Sequence, residues 1–210
     1  MSLSEGGTVT TGPAASSRYA LSFTTGGLLE REAGILTLVY KEHRDWAQVR
    51  RLAVEGNLLQ ARTYSTGVRR ARATVDRLSV LSDQEIELFS GTTASERAHL
   101  LWVAACRRFD LIGEFAEEVL RERFLALAGS VSYEDYDAFY RAKALWHDEL
   151  DSVSPTTYKK LRQVLFKMMV EAELLTIQGS IQPALLSARI ADRLRKRTPS
   201  DIRFFPTMVA

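Results

Sequence analysis

The chain has 210 residues, 46% of them hydrophobic, which suffices for a buried core and argues against wholesale disorder. No run of about 18 apolar residues occurs, so no membrane-spanning helix is expected, and residues 1–17 lack the apolar centre of a signal peptide. The single cysteine, Cys106, excludes an internal disulfide and fits a reducing cytoplasm; its apolar neighbourhood predicts a small buried side chain, not a nucleophile. The net charge of +2 conceals an asymmetry. Residues 41–79 hold nine Lys/Arg against four Asp/Glu, residues 80–155 hold seven against fifteen, and residues 156–210 hold ten against four. Two basic blocks flank an acidic one, which points to a polyanion at one or both ends and a different role in the middle.

Taken in order, residues 1–18 read as a flexible tail rich in Gly, Ser, Thr and Ala. Residues 19–23 alternate and are β-prone, ending at Thr24-Thr25-Gly26-Gly27. Two glycines there can cradle a phosphate, but no Lys-Ser/Thr follows and no dinucleotide fingerprint is present, so a turn before a helix is the simpler reading. Residues 28–40 have helical spacing through Leu29, Ala33, Leu36 and Tyr40. Asp45 is placed to cap a helix over residues 46–55, facing inward with Trp46, Val49, Leu52 and Ala53, and Gly56-Asn57 stops it. The next helix is predicted from an N-cap at Ser65 to about Leu81, with Val68, Ala71, Val75 and Leu78 inside. Arg69, Arg70 and Arg77 are expected to point outward, with Arg72 on the flank and Arg62 in the lead-in. Two helices with an arginine-rich second member outline a helix-turn-helix; an ordinary solvated helix face is the alternative.

Ser82-Asp83-Gln84-Glu85 is a capping box opening a helix that Ser90-Gly91 ends. Thr93 or Ser95 starts a long helical segment through Trp102, Phe109, Phe115 and Leu120 to Leu127, stopped at Gly129. Ser132 caps a helix crowded with Tyr133, Tyr136, Phe139 and Tyr140. The helix beginning at Ser154-Pro155 has two apolar stripes, one of Tyr158, Leu161, Val164, Leu165, Met168, Ala172 and Leu175, the other of Phe166, Val170 and Leu174. Such a helix is sandwiched between neighbours, and its cations Lys159, Lys160, Arg162 and Lys167 mark the exposed end. Gly179 sits between two short β-prone pieces, a candidate hairpin, and helix followed by hairpin is the order of a winged helix. Residues 185–197 read as a short basic helix and residues 201–206 as an extended end. The expected organisation is a tail over 1–18, a helical domain over 19–90 holding the helix-turn-helix-like pair, and a helical domain over 91–210 with the winged-helix-like end.

No catalytic site is legible. His43, His99 and His147 lie far apart with no metal-ligand spacing. His147-Asp148-Glu149 would fan out in three directions on a helix. Glu134, Asp135 and Asp137 are placed to complement a helix dipole and need not be paired catalytic carboxylates. Nothing calls for a cofactor or a metal.

A family resemblance adds to this reading. Thr25-Gly26-Gly27-Leu28-Leu29-Glu30-Arg31-Glu32, Asp45-Trp46 and Asn57-Leu58-Leu59-Gln60-Ala61-Arg62-Thr63 resemble BrxA, the small helical component of bacterial BREX phage-defence systems. Leu101-Trp102, Cys106-Arg107-Arg108, Glu114-Phe115-Ala116, Arg121-Glu122, residues 133–139, Trp146-His147 and residues 160–166 extend the likeness over residues 19–206. Glu173 departs from it, standing where a glycine is expected in Glu-Ala-Gly-Leu-Leu. The resemblance implies an all-α, NusB-like multi-helix bundle, binding of double-stranded DNA and a place beside other BREX proteins. The family's older description as an inner-membrane protein finds no support in these residues.

The expectations are therefore an all-α protein with at most one small β-hairpin, and a non-catalytic, cytoplasmic, monomeric DNA-binding component of phage defence without membrane insertion. Arg62, Arg69, Arg70, Arg77, Lys159, Lys160 and Arg162 are the candidate DNA contacts. A protein-interaction adaptor without DNA contact and an RNA binder are the alternatives.

Overall fold

The computed structural model describes residues 18–208, so of the expected tail all but Arg18 lies outside the described residues. In chain order the helices are α1 (Glu30–His43), α2 (Trp46–Glu55), α3 (Tyr64–Leu78), α4 (Asp83–Leu88), α5 (Ala94–Arg108) and α6 (Asp110–Phe115). A π-helical turn (Ala116–Arg121) leads into α7 (Glu122–Leu125), followed by α8 (Tyr133–Ala144), α9 (Asp148–Asp151), α10 (Pro155–Glu171), α11 (Ala188–Leu194) and a closing 3-10 turn (Asp201–Phe204). The protein is all-α, and its β structure among the described residues consists of the isolated antiparallel bridges Ser130–Ser180 and Leu175–Ile181.

The helix starts follow local capping chemistry. Asp45 accepts from the Ala47 N–H at 2.8 Å. Reciprocal capping boxes open α4 (Ser82 with Glu85), α5 (Thr93 with Glu96) and α8 (Ser132 with Asp135), so the orphan N–H groups of each first turn find partners within three residues. Ser154 caps α10, with Pro155 in the first turn as expected.

Several boundaries differ from the sequence reading. Residues 19–23 form no strand. The Tyr19 N–H donates to Glu149 and its hydroxyl to Glu114, while Phe23 is buried 5.2 Å from Phe109. The alternation there records two side chains packing inward, with side-chain carboxylates taking the place of a partner strand. α1 starts at Glu30, after a left-handed Leu29 (φ 61). α3 is capped by Thr63, whose hydroxyl takes the Thr66 N–H at 3.2 Å, and it ends at Leu78, short of Leu81. The single long helix expected to Leu127 breaks at Phe109, where extended backbone (φ −129, ψ 99) turns that ring into the core. The same segment stops at Leu127, which takes the left-handed conformation (φ 58) expected of Gly129. Residues 188–194 form a shorter basic helix than expected, and residues 201–204 coil instead of extending, burying Ile202 and Phe204.

The core is centred on α5. Its residues 98–106 are all buried, and Trp102, fully enclosed, donates its indole N–H to the Phe204 carbonyl at 2.9 Å. α1, α3, α10 and the closing 3-10 turn pack around this helix. One contiguous cluster of buried side chains therefore runs through α1, α3, α5, α8, α10 and the 3-10 turn. α10 buries Leu161, Val164, Leu165, Met168 and Met169 and half-buries Phe166 and Val170, the sandwiched helix its two stripes predict.

After α10 the chain makes the expected tight hairpin: the Thr176 N–H bonds the Ser180 carbonyl and the Gln182 N–H the Leu174 carbonyl, each at 2.9 Å. Gly179 (φ +86) is required at its tip, because a Cβ there would stand 2.6 Å from the Val131 carbonyl oxygen. Val131 and Ile181 complete the contact by donating to the Gly179 and Gly129 carbonyls. The hairpin is thus pinned to the segment before α8. Glu173 takes φ 60 at the position following the C-cap, with the paired Leu174-to-Met169 and Glu173-to-Val170 bonds of a Schellman ending. Glu173→Gly removes a left-handed side chain at the loss of one exposed bond from Ser95, so urea denaturation should find the variant more stable by about 0.5–1 kcal/mol.

Arg107 ties three elements together. Its guanidinium holds both oxygens of Glu85 (2.6 and 2.9 Å) and Asp201 (2.7 Å), and the three side chains are 6%, 6% and 3% exposed. Arg107→Ala leaves the buried Glu85 without a counter-charge and Asp201 with Arg197 alone, at 3.9 Å, and should cost about 3–5 kcal/mol by chemical denaturation. Burial pushes the Glu85 carboxyl upward, but bonds from Arg107 and Ser82 override it and hold the group below the ordinary glutamate range. A depressed folded value means that this stabilisation is complete above the unfolded carboxylate pKa. It is lost as pH falls through the folded value, so the Arg107→Ala penalty should shrink in strong acid.

Candidate nucleic-acid interface

The α2–α3 connection, residues 56–63, is longer than the 3–4-residue turn typical of a helix-turn-helix, but it is ordered. Asn57 (φ 44) accepts the Ala61 N–H at 2.9 Å, Gln60 (φ 51) is held by Arg31 at 2.7 Å, and Leu59 is buried. Those contacts set Arg62 immediately before α3. Arg62 and Arg69 are exposed and have no ion-pair or hydrogen-bond partner among the described residues. Because the cap is Thr63, Tyr64 becomes the first helical residue and stands 77% exposed at the same tip. The sequence reading missed Tyr64 by placing the cap two residues later.

Arg70 is half committed: it reaches Glu32 at 3.4 Å. Arg77 is not on the surface at all. At 1% exposure its guanidinium donates to the Gly27 carbonyl and, at 3.1 Å, to the Thr25 carbonyl, holding the loop before α1. Burial lowers its pKa to about 10, with Glu171 and Asp76 opposing the shift, and it stays a cation at neutral pH. The expected outward Arg77 is thus corrected by carbonyls that the loop before α1 brings to it. Two helical turns beyond Arg70, it meets that loop and the Phe109 ring, over which it lies at 5.9 Å.

The same loop roofs a cleft of about 630 Å³ lined by residues 24–30 together with Arg69 and Arg70 from α3 and Lys167 and Glu171 from α10. Glu171 accepts the Leu28 N–H at 2.6 Å, and Gly27 leaves the room that a Cβ would take from that carboxylate. Lys167 pairs with Glu171 at 3.6 Å and is 56% exposed. The structure therefore brings part of the second basic block to the first, through a lysine that was read only as one of several cations.

At the start of α10, Lys159 and Lys160 are exposed, and Lys160 bonds Gln163 at 3.1 Å. Lys160 and Lys167 lie seven residues apart, two helical turns, on one side of the helix. Arg162 is held elsewhere. Both Asp137 oxygens take its Nη1, at 2.7 and 2.8 Å, and its guanidinium lies 4.3 Å over the Tyr133 ring. Burial lowers the Arg162 pKa, but Asp137 outweighs it and the net shift is upward. Of the seven candidates, Arg62, Arg69, Lys159 and Lys160 are exposed, Arg70 is partly engaged, and Arg77 and Arg162 are built into the protein.

Comparison with known proteins decides the family. The BrxA family model matches residues 17–198. The chain belongs to the BrxA family. A curated relative, the BREX protein BrxA of Bacillus cereus (strain H3081.97), is 27% identical over 152 residues, covering 70% of this chain and 76% of its own. A crystal structure of an uncharacterized protein from Magnetospirillum magneticum shares the fold at a TM-score of 0.74 and 18% identity, over 92% of this chain and all of that one.

No group of three His, Cys, Asp or Glu side chains suited to a metal ion occurs among the described residues, and no helix there is long and apolar enough to cross a membrane. His99 is buried against Phe205, and burial holds its imidazole below the ordinary value. Burial in the core pushes the Cys106 thiol well above its ordinary value, away from nucleophile chemistry. Asp135 closes a capping box and Asp137 holds Arg162. Arg77→Met should lower stability by about 1.5–3 kcal/mol, since two buried carbonyl bonds to a cation are lost, whereas Arg69→Ala should change it by less than about 0.5 kcal/mol; denaturant titration separates them.

Proposed function

We propose that this protein is a non-catalytic, duplex-DNA-binding component of a BREX anti-phage defence system, working in the cytoplasm beside other BREX proteins. Family membership supports the system. The observation that carries DNA contact is the exposed tip of α3, where Arg62 and Arg69 stand without partners beside a cleft that α10 also edges with Lys167. A guanidinium engaged by a carboxylate gains little from a phosphate; an unengaged one gains a charge-assisted bond and releases a counterion. The α2–α3 pair serves as the helix-turn-helix-like element, with Tyr64 and Arg69 on the leading helix. Glu30, Glu32 and Glu171 also line the cleft and disfavour an anion within it, so on this reading the backbone phosphates go to Arg62, Arg69, Lys159 and Lys160 outside the glutamates.

This reading assigns most of the affinity to charge. In a salt titration of duplex binding, Arg62→Ala with Arg69→Ala should lower the slope of log K against log salt by about two units, with little dependence on DNA sequence. Lys159→Glu with Lys160→Glu should weaken binding further and leave thermal stability nearly unchanged, because exposed charges contribute little to folding. Parental binding by a folded variant carrying all four changes would overturn the proposal.

A further inference from the structure

The acidic middle of the chain carries an apolar pair that folding leaves uncovered. Leu145 and Trp146, at the end of α8, are 78% and 82% exposed. Both neighbours of the pair are fixed. The Lys143 ammonium sits between Glu114 at 2.6 Å and Glu118 at 2.7 Å, and the buried His147 lies 4.2 Å from the Tyr19 ring and 3.2 Å from Glu149. The pair therefore projects from a rigid base. Exposing a tryptophan and a leucine side by side forgoes apolar burial, and large aromatic anchors of this kind dominate the energetics of protein interfaces.

The surroundings define the occupant. Asp110, Glu114, Glu117, Glu118, Asp148 and Asp151 reach solvent around this base. Of the nearby cations, Lys143 is held by two glutamates, Arg203 by Glu117 at 3.0 Å and Arg18 by Glu149 at 3.9 Å, while Arg141, exposed four residues before Leu145, has no ion pair among the described residues; neither have Asp110, Asp148 and Asp151, so acids remain in excess. A face of that sign repels nucleic acid and anionic lipid and favours cationic side chains around the apolar anchor. A second copy of this chain offering its basic α3 tip would make a head-to-tail contact, which builds a ring or an open chain of molecules instead of a two-fold dimer. Residues 1–17 contain no lysine or arginine and supply no complementary charge.

We propose that Leu145 and Trp146 anchor a basic segment of a partner protein, on a face separate from the DNA-contacting tip of α3. The choice of partners to test rests on the assignment to a BREX system, but the site does not require DNA binding. The proteins encoded beside this chain in its defence locus would be purified and titrated singly against the full-length protein, reading tryptophan emission. One basic protein should bind saturably and shift the emission to the blue, and Trp146→Phe should abolish the shift. Leu145→Ser, and separately Asp148→Lys with Asp151→Lys, should weaken that binding by about tenfold or more while leaving the fold and duplex binding as in the parent. Absence of binding by every protein of the locus would overturn the proposal, as would binding that these variants leave unchanged. It would equally fall if the blue shift arose from raising the concentration of this chain alone, or if Trp146 were already shielded in the free protein and became exposed on deletion of residues 1–17. Loss of duplex binding on the α3 tip bears on the previous section alone, so the two readings stand or fall separately.

Discussion

The constraint on which the rest of this fold depends is the all-round burial of α5. A helix whose residues 98–106 all lie inside offers no face to water, so every direction around it must be covered by another element. α1 and α3 cover one side, α10 and the closing 3-10 turn others. The chain ends of the bundle are drawn in by the same demand: the Phe204 carbonyl is the acceptor for the Trp102 indole, and Arg107, at the last turn of α5, gathers Glu85 and Asp201. An indole N–H or a carboxylate buried without its partner would cost several kcal/mol, so these polar contacts fix register where apolar packing alone tolerates slippage.

The same economy sorts the basic residues. An arginine at the core boundary is valuable as a rigid donor to loop carbonyls, and Arg77 is used in that way; Arg162, stacked on Tyr133 and paired with Asp137, joins α10 to α8. Arginines of this kind keep their charge but cannot turn to a ligand without dismantling the loop or helix contact they make. Arg62 and Arg69, in the first part of α3 and its lead-in, are exposed and carry no such contact among the described residues. A count of basic residues thus overstates the surface available to a polyanion, since Arg77 and Arg162 are withdrawn from it.

Polarity is the other organising feature. Basic residues edge the cleft between α3 and α10, whereas the acidic ones on α6, the π-helical turn and α9 surround Leu145 and Trp146. On the proposed reading, opposite charges on separate faces let one small protein meet two partners of different chemistry without competition. The apolar core between them is continuous, so the two faces are held in a fixed relation by α5 and α10.

By itself the sequence determined what local chemistry determines. Helical class, the caps at Asp45, Ser82, Ser132 and Ser154, the sandwiched character of α10 and the turn at Gly179 all depend on contacts within a few residues, and all are legible; the sequence narrows the cap of α5 to Thr93 or Ser95. Family membership was legible too, from short runs of residues spread over most of the chain, and the family model matches residues 17–198. Only the tertiary structure decided matters that rest on distant partners. Residues 19–23 alternate like a strand, yet Glu149 and Glu114 claim their polar groups across the fold. Phe109 breaks a pattern that reads as continuous helix, because its ring fills space beside Phe23. Arg77 looks like its neighbours in sequence, but the carbonyls of Thr25 and Gly27, some fifty residues away, make it part of the core. Periodicity reports which side of a helix is apolar. Whether a long cation ends in water or against a buried carbonyl depends on what the rest of the chain brings to that side, and no local pattern records it.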